Sequence, residues 1–274
     1  MVVQLNKFLV SSLSLLLCVT AYGGDQSTYS IGYLKVENDT DDYNRLRILE
    51  LWGYNNYQGN ASYSETLRLR YYQPIDVGRW HATMRLDTAE IWNRGPSYAA
   101  ENNGQHSPGN TMITVWGNHP HFLPELGINF GGRVIFPFGN NGQWAVGPQL
   151  GSVFRPTNPD SVLADISPSV RYMYGFDTKN NSFAVNPQQP PLLRNLQIYP
   201  TFGIRLKPGT QVRFWDENGL QYNTQGDSWF IPADAMLTHE LNKQFLVALG
   251  GSAKIVSTYQ QYNWSVYGKV SYKF

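Results

Sequence analysis

The sequence predicts an all-β protein, a transmembrane antiparallel up-and-down β-barrel of about 12 strands. Three observations carry that prediction. Apolar and polar residues alternate over segments of about 10 to 13 residues along most of the chain, the signature of strands with one face in an apolar medium and the other in a polar one. Charged residues make up only 15% of the chain, yet after the first two dozen residues no stretch approaches the roughly 18 apolar residues of a spanning helix. The chain ends on Phe274, preceded by apolar residues at every second position.

Composition excludes several classes. Soluble domains carry roughly 25% charged residues, well above the value here. The polarity comes instead from Asn, Gln, Ser, Thr, Tyr and Gly. A net charge of +1 lacks the concentrated basic excess of a nucleic-acid binder, so no nucleic-acid partner is expected.

The first element is a signal peptide, residues 1–23. Lys7 makes a short basic start, Phe8 to Val19 form an apolar run interrupted only by serines, and Val19-Thr20-Ala21 or Ala21-Tyr22-Gly23 supplies small residues for cleavage. The only cysteine, Cys18, lies inside it, behind Leu16 and Leu17 rather than the small residues of a lipidation site. The mature chain then has no disulfide, thiolate metal site or cysteine nucleophile. Without Lys7 it holds 20 basic against 20 acidic residues. Residues 24–43 form an N-terminal periplasmic or inserted segment, and the barrel occupies 44–274.

Within the barrel, strands are expected near 44–53, 63–73, 80–92, 109–118, 125–137, 143–154, 163–176, 195–206, 210–217, 228–239, 244–256 and 260–274. From Trp80, one face carries Trp80, Ala82, Met84 and Leu86, and the other His81, Thr83, Arg85 and Asp87. Leu126, Ile128, Phe130, Gly132, Val134 and Phe136 form the apolar face of a later strand, as do Leu196, Ile198, Pro200, Phe202, Ile204 and Leu206. Such lengths exceed the usual strand of about 5 or 6 residues and match the 9 to 11 that a tilted transmembrane strand needs. The second face holds Gly, Ser, Thr, Asn, Gln and sparse Arg, which suits a crowded polar interior rather than a solvated surface. Backbone groups in lipid must pair internally, so the sheet must close. Tight connections at Pro74 to Arg79, Lys207-Pro208-Gly209 and Leu241-Asn242-Lys243 fall on one side, and longer loops near 93–108, 177–194 and 218–227 on the other.

The last strand places Trp264, Val266, Gly268, Val270, Tyr272 and Phe274 on one face. A terminal aromatic with apolar residues at alternate positions is similar to the closing strand of bacterial outer-membrane barrels, which the assembly machinery reads. Trp264, Val266, Val270, Tyr272 and Phe274 are the residues of that signal. The expected location is the bacterial outer membrane, with its lipid and assembly machinery as partners.

Three blocks extend the resemblance. Leu67-Arg68-Leu69-Arg70-Tyr71-Tyr72-Gln73-Pro74 precedes Trp80 and Arg85-Leu86. Gly131-Gly132-Arg133-Val134-Ile135-Phe136-Pro137 precedes Trp144-Ala145-Val146-Gly147-Pro148. Tyr199-Pro200 leads through Trp229-Phe230-Ile231-Pro232 to the end. In order and spacing they resemble the phenol meta-pathway (MetA/SphA-like) outer-membrane transporter family. That resemblance implies passage of small, often hydrophobic or aromatic, solutes and no catalytic residue.

Alternation projects Arg68, Arg70, His81, Arg85, Asp87, Glu125, Arg133, Arg171, Arg205, Arg213, Asp234, Lys254 and Lys269 into the lumen, because an Arg or Lys facing lipid at the midplane costs about 2–4 kcal/mol. They form either an Arg-lined constriction that sorts solutes by charge and size, or ion pairs that fill a narrow barrel and hold its register. His119, His121 and Glu125 carry metal-ligating atoms, but Pro120 and Pro124 make the segment a turn where histidines are commonly solvated. His106-Ser107 lacks a strand-placed carboxylate or amide to orient the imidazole. Asn38-Asp39-Thr40-Asp41-Asp42 lacks the Gly and terminal Glu of a calcium loop. No cofactor, metal or enzymatic site is expected. The leading function is a channel or transporter for small solutes; a lipid-processing enzyme, such as a phospholipase or lipid A deacylase, and a structural or surface-interaction barrel are the alternatives.

Overall fold

The structure is a computed structural model that describes residues 47–96, 105–118, 126–138, 143–156, 158, 160–178, 192–258 and 261–274. The expected signal peptide, the 24–43 segment, His119, His121 and Glu125 lie outside the described residues.

Among the described residues, eight barrel strands are continuous: β1 (Ile48–Gly59), β2 (Ser62–Val77), β3 (Trp80–Arg94), β6 (Ile128–Phe136), β7 (Gln143–Ser152), β14 (Ser228–Glu240), β15 (Phe245–Ser257) and β16 (Trp264–Lys273). Four further barrel strands are interrupted. They are β4 (Gln105–Pro108) with β5 (Thr111–Asn118), β8 (Leu163–Ile166) with β9 (Ser169–Thr178), β10 (Arg194–Tyr199) with β11 (Phe202–Lys207), and β12 (Thr210–Phe214) with β13 (Leu220–Asn223). Every pairing is antiparallel, and β1 pairs with β16 from Ile48↔Lys273 to Tyr57↔Trp264, so the 12-strand sheet closes on itself.

The alternation read from the sequence is the alternation of the wall. Thr83, Arg85 and Asp87 are buried while Trp80 and Leu86 are exposed, and Ser265, Tyr267, Lys269 and Ser271 are buried while Val266 and Val270 are exposed. This is a core turned inside out, with polar groups within and apolar groups outside, as a barrel in lipid requires.

Strand boundaries differ from the expectation where both faces are polar. The first strand runs to Gly59, not to 53, and β13 occupies part of the expected 218–227 loop. Tyr54-Asn55-Asn56-Tyr57-Gln58 and Leu220-Gln221-Tyr222-Asn223 have weak apolar alternation, and backbone ladders to β2, β16, β10 and β14 hold them as strands. Likewise β3 continues to Arg94 and β4 enters the expected 93–108 loop. β2 passes through Pro74 to Val77, so the turn is only Gly78-Arg79, with Gly78 at φ 63°.

Three of the interruptions, β8–β9, β10–β11 and β12–β13, are joined to one another by hydrogen bonds. Pro168, Pro200 and Pro232 remove backbone donors there, and Trp215 adopts φ 49°, breaking the ninth barrel strand between β12 and β13. Substitute bonds span the breaks: Ser152 N–H to Pro168 O (3.0 Å), Ser167 N–H to Thr201 O (2.8 Å), Thr201 Oγ1 to Trp215 O (2.8 Å) and Trp215 N–H to Asp234 O (3.2 Å). The Trp215 indole adds a bond to Pro232 O at 2.9 Å. Polar backbone at this depth thus stays paired while the chain from Trp215 to Gly219 turns into the lumen.

Candidate functional site

The inner faces of β1, β2 and β3 set the site. Antiparallel register puts Glu50 beside Arg70 and Arg70 beside Asp87, with Trp52 opposite Arg68. Side chains directly opposite on one face lie within contact distance, so these charges must interact. Arg70 Nε donates to Asp87 Oδ1 at 2.8 Å, and Arg85 Nε donates to Asp87 Oδ2 at 2.7 Å. Asp87 is fully buried, and its two oxygens are shared between two guanidinium groups.

Across the lumen, the segment between β12 and β13 meets this face. Arg70 grips Glu217 with both ends of its guanidinium, Nη1 to Oε2 at 2.8 Å and Nη2 to Oε1 at 2.7 Å. Tyr54 donates its hydroxyl to Glu217 Oε1 at 2.7 Å, and Arg68 Nη1 stands 3.6 Å from that oxygen. Such a fork on a carboxylate is among the strongest and most directional polar contacts available to a protein. The neighbours of Glu217 anchor the same segment. Asp216 pairs with Arg213 (3.3 Å), and Asn218 donates its side-chain amide to Asp234 Oδ1 (2.9 Å), which also accepts the Tyr267 hydroxyl (2.8 Å). Arg213 in turn holds Asp165 through Nη1 (2.7 Å) and Nη2 (3.1 Å).

A second buried group lies beside the first. Glu50 accepts from Lys269 (2.7 Å) and Ser271 (2.9 Å) at Oε1, and from the Trp52 indole (2.8 Å) and Tyr72 hydroxyl (3.1 Å) at Oε2. Trp52 is also a platform for cations: the Arg70 guanidinium carbon lies 4.5 Å and Lys269 Nζ 4.7 Å from its ring centre. Tyr54 stacks on Trp52 with centroids 5.8 Å apart and planes at 10°. An apolar cluster of Ile48, Tyr72, Trp116 and Leu246 closes in toward the end that carries the chain terminus.

The remaining sequence-selected residues are dispersed. Arg133 donates to Thr114 (2.8 Å), and Arg171 to Gln149 and Gln197. His81 pairs with Asp76 at 2.9 Å near the Gly78-Arg79 turn, and Arg205 donates to Ser161 O at 3.2 Å. Lys254 is exposed, in register with Pro232. His106 is exposed on β4 and pairs with Glu90 at 2.8 Å.

Four acids complete the clusters without having been singled out from the sequence: Glu50, Asp165, Asp216 and Glu217. Glu50 and Asp165 were legible, since each sits between apolar neighbours in an alternating strand, Leu49-Glu50-Leu51 and Ala164-Asp165-Ile166. Asp216 and Glu217 carry no such signal, because the strand breaks where they stand.

No family model and no curated protein sequence matches this chain. Solved structures do. An outer-membrane channel from Pseudomonas putida F1 superposes with a TM-score of 0.61 at 11% identity, over 86% of this chain and 100% of that one. The chain has the fold of an outer-membrane β-barrel. The KdgM porin, solved with disordered oligogalacturonate, gives a TM-score of 0.45 at 9% identity over 83% of this chain and 99% of its own. Omp33 of Acinetobacter baumannii gives 0.40 at 7% identity over 84% and 100%. At 11% identity the agreement with the first of these concerns fold alone.

Proposed function

We propose that this protein is a channel of the bacterial outer membrane that passes small solutes through a narrow polar lumen. The observation that carries the reading is the charged cross-lumen cluster of Glu217 with Arg68, Arg70 and Tyr54, inside a closed wall whose outer face is apolar. Charged side chains at a constriction order solutes by size and charge. Arg85, Asp87, Arg133, Arg171, Arg213, Asp234 and Lys269 line the same path in this reading.

Export by the signal peptide and recognition of the Trp264 to Phe274 strand by the assembly machinery belong to the same proposal. So does distant membership of the phenol meta-pathway (MetA/SphA-like) family, from which small hydrophobic or aromatic solutes follow as cargo. No catalytic role is assigned to any residue.

Planar-bilayer recording of the refolded mature protein tests the reading. Discrete conductance steps from folded, heat-modifiable protein are expected, with selectivity that changes in Glu217→Gln. A folded barrel that is electrically silent and impermeable to small aromatic solutes in liposome swelling would overturn it.

A further inference from the structure

The contacts around Glu217 describe a carboxylate-binding site filled by the protein itself. Its components come from the regular wall: the Arg70 fork, the Tyr54 hydroxyl and the Arg68 guanidinium all sit on the inner faces of β1 and β2 and are placed by an unbroken register. The carboxylate they hold comes from elsewhere. Glu217 lies five barrel strands away from β2, on the segment that leaves the sheet after Trp215, and takes no part in the backbone ladders of β12 and β13.

Charge and chemistry both favour exchange. Arg70 is already paired on its Nε side with Asp87, which is itself shared with Arg85, so Asp87 alone does not neutralise this face. Arg68 Nε is buried without a hydrogen-bond partner among the described residues, leaving donor capacity beside Glu217. A solute carboxylate that replaced Glu217 would keep Arg70 and Arg68 paired, whereas a neutral solute would leave these guanidinium groups uncompensated. The Tyr54 ring, stacked on the buried Trp52 and lying under the Arg68 guanidinium, flanks the position.

We infer that Arg70, Tyr54 and Arg68 form a binding site for small organic monocarboxylates, and that Glu217 occupies it as a built-in competitor until a solute carboxylate displaces it. As the solute class of the proposed channel the assignment rests on that reading, but binding is measurable without conduction.

Saturation-transfer NMR on the folded full-length mature protein in detergent, titrated with propionate and with propionamide, tests the site. Glu217→Ala removes the competitor and should bind propionate at concentrations at least ~10-fold lower than wild type, with propionamide giving no saturable signal. Adding Arg70→Gln to that variant should abolish the gain. Glu217→Gln keeps the side-chain shape and decides the matter if the alanine variant does not fold; it should also bind propionate more tightly than wild type. Equal propionate binding by wild type and the folded Glu217 variant, or equal binding of propionamide, would overturn the assignment. Propionate binding without conductance would overturn the channel and leave the site standing; conductance with no propionate binding would do the reverse.

Discussion

Glu50 shows how much one buried carboxylate can organise. Lys269, Ser271, Trp52 and Tyr72 all donate to it, and it is 2% exposed. Removing one partner of a buried ion pair strands the other, at a cost of about 3–5 kcal/mol. Glu50→Ala is therefore expected to lower the denaturant midpoint of the folded barrel sharply. Glu50→Gln with Lys269→Met should recover most of the loss, since neither charge then remains alone. A smaller residue effect of opposite sign belongs to the Asn60-Ala61 turn. Both residues have positive φ, 49° and 56°, and the two-residue connection between Gly59 and Ser62 suits Asn-Gly far better than Asn-Ala. Ala61→Gly should stabilise the barrel by roughly 0.5–1 kcal/mol, measured by urea unfolding in micelles.

At the scale of elements, the closing strand and the broken strand behave differently. The outer face of β16 presents Trp264, Val266 and Val270, and Phe274 follows it at 63% exposure. Phe274 makes a ring contact with Tyr272, and its backbone N–H bonds Arg47 O at 3.0 Å, a bond that any residue can make. Phe274→Ala should leave the stability of refolded protein within about 0.5 kcal/mol, as surface substitutions usually do. In cells the same variant should reach the outer membrane less efficiently, read as the ratio of heat-modifiable to total protein. Equal yields would argue that the terminal aromatic is not read during assembly. The long uninterrupted strands were legible from period-two alternation: Trp80 to Asp87 shows it on both faces, and the wall follows it. Leu220 to Asn223 was not legible, because Gln and Asn on a strand inside a polar lumen look the same in sequence as Gln and Asn in a loop. The ladder to β10 and β14 makes the distinction, and that ladder is non-local.

For the whole molecule, inside and outside are separate solvents. Leu249 points outward from β15 at 65% exposure, in register with Leu237 and Gly268. Leu249→Arg should cost about 2–4 kcal/mol in lipid bilayers, while a polar exchange such as Ser252→Thr on the inner face should cost far less. Unfolding titrations in vesicles compare the two, and similar losses would mean that this face does not meet lipid.

Closure into a barrel and the sorting of residues between two faces were determined by the sequence alone, because a period of two is a local property and every backbone group in lipid must find a partner. Meetings across the lumen were decided only by tertiary structure. Glu217 and Arg70 are 147 residues apart, and nothing local marks them as partners. They meet because the register of β1, β2 and β3 places Arg70 on the inner face, and because the chain between β12 and β13 leaves the sheet and brings Glu217 to it.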